Sequence, residues 1–263
     1  MPTRQPRCAF ESKEFLESSE GRSVRILSEY YEPGQRLARH SVWHTAVFFG
    51  SARILSREEA RKALSELEGN DASEKELQHA RRMVTMSRYY EDARELSRLV
   101  TEWSDTLDDS SRLVVCSGGG GGIMEAANRG ASEAGGRTVA FNIQLPFEQH
   151  ANLWAQEDLT FDFHYFFMRK FWFVYSAKAI VVFPGGFGTF DEMMESLTLI
   201  QTHRVEKSIP IVIYGSEYWN DVVNMEKMAM WGTISEEDLN LFHMSDSPKD
   251  AFDYIVGSLT WEG

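Results

Sequence analysis

Pro184-Gly-Gly-Phe-Gly-Thr-Phe-Asp-Glu192 is the stretch of sequence that decides the fold. It follows an apolar run at 179–183, and a second glycine-rich loop, Ser117-Gly-Gly-Gly-Gly-Gly-Ile-Met-Glu125, follows another apolar run at 113–116. A short apolar run that ends in glycine predicts a buried strand and a turn, and the residues after each loop favour a helix. Two strand–loop–helix units of the same kind indicate an α/β domain.

The same alternation continues on both sides of these units. Apolar runs predict strands at 45–49, 113–116, 138–142, 179–183, 209–214 and 241–244. Helical patterns lie at about 56–68, 73–107, 123–134, 165–176, 189–202, 217–230 and 248–259. Strands joined by helices run parallel, and nearly all-apolar strands are typical of a sheet that is covered on both faces. We therefore predict a doubly wound, mostly parallel, Rossmann-like α/β sheet with helices on both faces.

Residues 1–40 are more polar than the rest of the chain. Within them, residues 24–31 indicate a short helix, and Pro33-Gly34 predicts a break after it. We expect residues 1–40 to form an extension that packs on a single nucleotide-binding catalytic domain, residues 41–263.

Charge and cysteine content limit the function classes. The net charge of −13 and the pI of about 5.0 argue against binding of a nucleic acid polymer. The two cysteines, Cys8 and Cys116, make neither a disulfide framework nor a zinc motif. The sequence has no secretory leader and no run of about 18 apolar residues. We therefore expect a cytoplasmic protein that does not bind membranes.

The two glycine loops form the predicted ligand site. In open α/β sheets, ligands bind beyond the carboxyl ends of the strands, and free N–H groups at helix starts favour an anion. The alternative is a pair of tight turns without a ligand. Neither loop has the G-x-G-x-x-G dinucleotide spacing, because Ile123 and Asp191 stand where the last glycine would be, and no Gly-Lys pair makes a P-loop. A monophosphate ligand fits this pattern, and we do not expect NAD as a cofactor.

Charged side chains accompany both loops. Glu192 follows the second loop and Glu125 the first, and a carboxylate beside a phosphate can hold ribose hydroxyls or activate water. For Glu192 the alternative is structural, because Thr189 and Glu192 have the spacing of a capping box. Arg169-Lys170 begins an aromatic helical stretch, but two adjacent cations are also typical of a solvated surface.

Residues 184–192 match the motif P-G-G-x-G-T-x-x-E at every fixed position, and this motif resembles the LOG (LONELY GUY) family, long labelled as lysine decarboxylases. The resemblance extends to Phe49-Gly-Ser-Ala-Arg53, to residues 117–128 and to Met168-Arg-Lys170, and it covers roughly 45–255. It implies a Rossmann-like fold, usually dimeric, and a phosphoribohydrolase activity. Such an enzyme releases a free base and ribose 5-phosphate from AMP or a cytokinin riboside monophosphate.

The resemblance also implies roles for individual residues. Arg169 and Glu192 would be the catalytic pair, and the glycine loop before Glu192 would hold the phosphate. The expected nucleotide-binding residues are Ser51, Gly118, Gly119, Gly120, Glu125, Gly185, Gly186, Gly188 and Thr189. The expected partner is a nucleoside 5′-monophosphate, and we expect neither a cofactor nor a metal ion.

Two other functions are compatible with the sequence. A protein of this fold can bind a nucleotide without turnover, as a sensor or carrier, because fold alone does not fix function. A pyridoxal phosphate decarboxylase, implied only by the old family label, needs a lysine that forms a Schiff base. Lys170 and Lys178 are available, but neither lies in a recognisable cofactor motif.

The segment 164–174 is unusually aromatic. This feature and the family resemblance together predict a homodimer. The aromatic rings cannot all face one core, so part of the segment is expected to line a partner surface or the base pocket; the alternative is full burial between the extension and the sheet. Light scattering at micromolar concentration should give twice the chain mass of 30.1 kDa. A monomer under these conditions would contradict the prediction.

Overall fold

The computed structural model describes residues 8–145 and 150–260, and within them seven parallel strands form one sheet. Three parts of the predicted extension and domain lie outside the described residues, namely 1–7, 146–149 and 261–263. The strand order is β4-β3-β2-β1-β5-β6-β7. The strands are β1 (His44–Phe49), β2 (Leu113–Ser117), β3 (Thr138–Ile143), β4 (Thr160–Phe163), β5 (Ala177–Val182), β6 (Ile211–Tyr214) and β7 (His243–Ser245).

Helices connect the strands and cover both faces of the sheet. They are α1 (Lys13–Glu17), α2 (Arg22–Arg39), α3 (Arg57–Glu68), α4 (Glu74–Ser104), α5 (Ile123–Glu133), α6 (Phe166–Ser176), α7 (Phe187–Gln201), α8 (Ser216–Val222), α9 (Met225–Met230) and α10 (Pro248–Ser258). Within the described ranges, no helix is both long and apolar enough to cross a membrane.

Successive strand residues alternate between two apolar cores, because side chains of a strand point to opposite faces. On β1, Val47 and Phe49 belong to the core under α2, α6 and α7, whereas Ala46 and Phe48 belong to the core under α4, α5 and α10. Both cores consist of fully buried side chains. The predicted doubly wound α/β fold is therefore confirmed.

The order of the strands reverses at the centre of the sheet. From β1 the chain moves outward through β2, β3 and β4, then returns to pair β5 with the other edge of β1. In open α/β sheets such a switch point leaves a crevice at the carboxyl ends of the two strands. This places the ends of β1 and β5, and the glycine loop after β5, at the same opening.

Two predicted elements differ from the structure. Strand β4 was not predicted, because its four residues are an edge strand with alternating burial and no continuous apolar run. The single helix predicted at 217–230 is two helices, since Val223 is extended and the Asn224 side chain accepts a hydrogen bond from the Lys227 N–H at 2.7 Å. A side-chain cap of this kind starts a new helix at α9.

The break predicted at Pro33-Gly34 is wrong, because α2 continues through both residues. A proline inside a helix has no N–H for the carbonyl four residues earlier, which here belongs to Glu29. The indole Nε1–H of Trp172 on α6 donates to that carbonyl oxygen instead, at 2.8 Å. A Cβ atom at Gly34 would lie 2.7 Å from the Trp172 ring, so glycine lets the ring approach α2. Pro33 and Gly34 therefore do not end the helix. They leave a free carbonyl and the space that Trp172 needs to pack against α2.

We expect Trp172→Phe to lower the free energy of unfolding by about 1–3 kcal/mol, because the Glu29 carbonyl then loses its donor. Adding Pro33→Ala should recover part of that loss, since a residue with an N–H restores the hydrogen bond within α2. Urea unfolding of the wild type, both single variants and the double variant measures the coupling. Strictly additive effects would show that the two positions do not share this carbonyl.

Candidate active site

The backbone of one residue, Ser51, joins the three loops at the carboxyl edge of the sheet. The Ser51 N–H donates to the Pro184 carbonyl at 3.0 Å, and the Ser51 carbonyl accepts the Ile123 N–H at 3.1 Å. The loop after β1 is thus bonded both to the loop after β5 and to the start of α5. The three segments that the sequence singled out meet at one place.

Two glycines make this close approach possible. Gly122 has a φ of 64°, a left-handed conformation that favours glycine, and a Cβ there would lie 2.3 Å from the Ser51 carbonyl oxygen. A Cβ at Gly50 would lie 2.6 Å from the Ile123 side chain. Larger residues at either position would push the β1 loop away from α5.

Helix α7 begins earlier than predicted, and this changes the positions of Thr189 and Glu192 within the helix. Its N-cap is Gly186, and the Phe190 N–H donates to the Gly186 carbonyl at 3.0 Å. Glu192 therefore lies in the second turn, and the capping-box interpretation of Thr189 and Glu192 is wrong. The first-turn N–H groups of α7, from Phe187 to Thr189, have no acceptor within the helix and point out of its start.

The glycine loop before α7 is held from two sides. The Tyr218 hydroxyl on α8 donates to the Gly185 carbonyl at 2.7 Å. A Cβ at Gly185 would lie 2.1 Å from the Thr189 hydroxyl oxygen, so the Thr189 side chain packs directly on this glycine. Gly186 and Gly188, in contrast, have open space where a Cβ would stand. The loop is fixed on its inner side and open on its outer side.

A cavity of about 1230 Å³ opens at this edge of the sheet. Its walls come from both faces: α6 and α7 on one side, and the amino-terminal half of α4, with His79, Met83 and Met86, on the other. It contains eight of the predicted site residues, namely Ser51, Gly118, Arg169, Gly185, Gly186, Gly188, Thr189 and Glu192.

The other three predicted binding residues lie outside this lining. The carbonyl oxygens of Gly119 and Gly120 accept hydrogen bonds from the Asn152 amide at 3.1 and 3.0 Å. The Glu125 carboxylate accepts the Tyr90 hydroxyl of α4 at 2.8 Å. The structure therefore gives these residues contacts within the fold and brings only Gly118 of the first loop to the cavity.

Arg169 and Glu192 form a buried ion pair between α6 and α7. The guanidinium Nη2 lies 2.6 Å from a Glu192 carboxylate oxygen, and the two side chains are only 14% and 12% exposed. Burial raises the pKa of Glu192 above its ordinary value, and the Arg169 charge and hydrogen bond oppose that rise. The guanidinium also lies over the Phe166 and Phe173 rings, 5.7 and 5.4 Å from their centroids.

Lys170 is also held against α7. Its ammonium group lies 2.9 Å from Asp191 and 3.1 Å from Glu195. The interpretation of Arg169-Lys170 as a solvated surface pair is therefore wrong. Both cations tie α6 to α7, but only Arg169 lines the cavity.

Sequence reasoning missed two basic residues that line the cavity, Arg53 and His79. Arg53 belongs to the quoted block that follows β1, so its position was a usable signal. It forms no ion pair within 8–145 and 150–260. His79 lies in the long α4, and no sequence pattern indicates that this helix reaches the cavity.

The family described as "Possible lysine decarboxylase" matches residues 124–255, half of the chain. The match includes both Arg169 and the whole of the motif at 184–192. No curated protein matches the sequence significantly.

Three solved structures illustrate what the fold is similar to. The molybdenum cofactor binding protein from the phototrophic bacterium Rippkaea orientalis is 19% identical, over 64% of this chain and 86% of that one, with a TM-score of 0.44. The Moco carrier protein from Chlamydomonas reinhardtii is 15% identical, over 82% and 100%, with a TM-score of 0.42. The structural genomics target TM1055 is 19% identical, over 81% and 99%, with a TM-score of 0.49.

We expect Arg169→Met to lower the free energy of unfolding by about 3–5 kcal/mol near pH 7.5, because it leaves the Glu192 charge buried without a partner. Losing Arg169 raises the pKa of Glu192 further. A carboxyl whose folded pKa lies above its unfolded pKa stabilises the fold at low pH and loses that contribution as pH rises through the folded value. The deficit should therefore be smaller near pH 5.5, as measured by urea unfolding at both pH values.

Lys170→Met is the matched control for this prediction. It removes the neighbouring cation of α6, but the Asp191 and Glu195 side chains are 57% and 36% exposed and stay hydrated. Its effect should be smaller and nearly equal at the two pH values. A pH-independent deficit for Arg169→Met would contradict the assignment of a raised pKa to Glu192.

Proposed function

The chain belongs to the family described as possible lysine decarboxylase, and we propose that it hydrolyses the N-glycosidic bond of a nucleoside 5′-monophosphate to a free base and ribose 5-phosphate. One observation carries the proposal: the buried Arg169–Glu192 pair and the open start of α7 line the same cavity. A charged pair suited to bond cleavage and a set of N–H groups suited to binding an anion thus face the same cavity.

The phosphate is proposed to bind at the start of α7. The first-turn N–H groups there, together with the positive end of the helix dipole, favour a phosphate dianion. Gly186 and Gly188 leave the space that a phosphate needs to approach the backbone. Arg53, unpaired within the described ranges, adds a positive charge to the same cavity. Fixing the phosphate orients the sugar toward the rest of the site.

Glu192 is the proposed acid–base and electrostatic group. As the C1′–N bond breaks, positive charge grows on the ribose ring, and a nearby carboxylate stabilises it, as in glycoside hydrolysis. Water then bonds to C1′ and gives up a proton, while the departing base takes a proton. A raised pKa makes Glu192 a better proton acceptor near neutral pH than an ordinary carboxylate.

Arg169 is proposed to act as a fixed positive charge. A guanidinium cannot readily donate its proton, because its pKa exceeds about 12. It can stabilise negative charge on the leaving base and hold the Glu192 carboxylate in place. Its Nε–H is buried without an acceptor among the described residues, which leaves a donor available to the ligand.

The apolar part of the cavity is proposed to take the base. Phe187, at the first position of α7, is 96% exposed and lines the cavity. A flat ring in this position is a surface on which any base can stack.

Decarboxylation through pyridoxal phosphate fits the geometry poorly. Lys170 is engaged by two carboxylates of α7, and Lys178 stands near the start of β5, at the edge of the sheet opposite the cavity. Of the described residues that line the cavity, none is a lysine. The two lysines that the sequence offered for a Schiff base therefore do not support this chemistry.

We also propose that the protein acts as a homodimer. Phe166, Phe167 and Tyr175 on α6 are 48–63% exposed, although the neighbouring Trp172 and Phe173 are buried. A second copy would cover these rings and remove apolar area from water.

We expect Glu192→Gln to lower turnover of AMP by about 10²-fold or more, because the carboxylate charge beside the developing cation is lost. The phosphate donors are backbone groups, so AMP affinity by calorimetry should change little. Asp191→Asn is the matched control: it makes the same change at the adjacent, exposed position and should keep near-normal turnover. The mechanism is wrong if Glu192→Gln retains more than about half of the wild-type rate.

We expect adenosine to be cleaved at least about 10²-fold less efficiently than AMP, because several charge-assisted hydrogen bonds to the phosphate are missing. Chromatography of released base gives both rates, and ribose 5-phosphate should inhibit where ribose does not. Equal rates on AMP and adenosine would contradict a phosphate site at α7. Tight binding of nucleoside monophosphates without release of any base would instead support the sensor or carrier.

A further inference from the structure

The start of α6 is held by a carboxylate from another helix. Glu29 on α2 accepts the His164 N–H at 2.8 Å with one oxygen and the Tyr165 N–H at 3.2 Å with the other. Tyr165 is the N-cap residue of α6 and supplies no side-chain cap of its own. A carboxylate at this point satisfies N–H groups that a helix start leaves free and interacts well with the helix dipole.

Tyr165 links this contact to Arg169 through its own backbone. Its N–H bonds to Glu29, and its carbonyl accepts the Arg169 N–H at 3.2 Å. Its hydroxyl accepts a hydrogen bond from Nε of Arg25, also on α2, at 3.2 Å. One buried residue thus connects the extension to the residue that forms the ion pair with Glu192.

A second contact fixes α6 farther along its axis. The Glu29 carbonyl accepts the Trp172 indole N–H, so Glu29 contacts α6 both before its first turn and two turns later. At a rise of about 1.5 Å per residue, the backbone positions of Tyr165 and Trp172 are roughly 10 Å apart along the helix. Two separated contacts with one residue set both the position and the rotation of α6.

Apart from the ion pair with Glu192, the Arg169 guanidinium is restrained by rings of α6 itself, since it lies over Phe166 and Phe173. It donates one hydrogen bond to Glu192, through Nη2, and its buried Nε has no partner in the part of the chain that the structure describes. Its direction is therefore set mainly by where the α6 backbone lies. A small shift of α6 would move the guanidinium relative to Glu192 and the ligand, and catalytic geometry tolerates little displacement.

We propose that Glu29 is a positioning residue for Arg169, so that the amino-terminal extension is part of the active-site machinery; this inference rests on the proposed function. The extension lies outside residues 124–255, the part of the chain that the family match covers. Its role is to hold α6 in register with α7, without contact to the substrate.

Glu29→Gln tests the proposal, with Glu17→Gln as the matched control in the same extension. Glutamine keeps the size of the side chain but loses the charge and one acceptor. We expect kcat for AMP to fall about tenfold, with KM within twofold, because the phosphate site on α7 is untouched. Among the described residues, Glu17 forms an ion pair with Lys13 alone, at the surface, and its variant should match the wild type.

A double-mutant cycle separates positioning from general destabilisation. In the Arg169→Met background, Glu29→Gln should change the residual turnover less than twofold, because the residue that it positions is gone. Equal losses in both backgrounds, or losses that follow the melting temperature, would overturn the proposal.

Hydrogen exchange keeps this test independent of the proposed activity. In Glu29→Gln, peptides spanning 164–172 should exchange faster, whereas those of α7 should not. Unchanged exchange at 164–172 would overturn the positioning role even in an active enzyme. If the wild-type protein cleaves no nucleoside monophosphate but Glu29→Gln still exchanges faster at 164–172, the proposed function is overturned and the positioning of α6 by Glu29 is supported.

Discussion

The backbone of Ser51 is the constraint on which the site depends. Its N–H and carbonyl bond to Pro184 and Ile123, so the loop after β1 fixes the distance between the starts of α5 and α7. A backbone group in this position cannot be replaced by another side chain, and it only works because Gly50 and Gly122 remove the atoms that would hold the segments apart. The part of the cavity between the glycine loops is thus shaped by main chain.

The buried Arg169–Glu192 ion pair, unlike the Ser51 backbone, is not needed to explain how the fold is held together. Taking two charges out of water costs more than their attraction returns in many proteins, so a buried pair is weak evidence for stability. Arg169 and Glu192 come from neighbouring helices that already pack on one face of the sheet. Their burial therefore fits the proposed role in bond cleavage better than a role in stability. Lys170 joins the same two helices through Asp191 and Glu195, which are more exposed.

The fold and the heart of the site follow from local patterns in the sequence. Apolar runs located six of the seven strands, and the motif at 184–192 placed Thr189 and Glu192 at the cavity. The failures share one cause: they depend on partners distant in the chain. Pro33 ends a helix by local rules, unless a donor such as Trp172 arrives from α6. Likewise, Glu125 follows a glycine loop as Glu192 does, but its carboxylate bonds to Tyr90 of α4. No sequence pattern near His79 indicates that α4 reaches the cavity.

The docking of Trp172 on α2 also has a consequence for the newly made chain. The two partners are 143 residues apart, and α2 is synthesised before any strand of the sheet that it will cover. At about 5–20 residues per second, roughly 7–30 s pass on the ribosome before Trp172 exists. During that interval β1 to β4 are made, but the Glu29 carbonyl in the middle of α2 still lacks its indole donor. Helix α2 is thus made before the sheet that it covers, and its contact with α6 forms only after four of the seven strands exist.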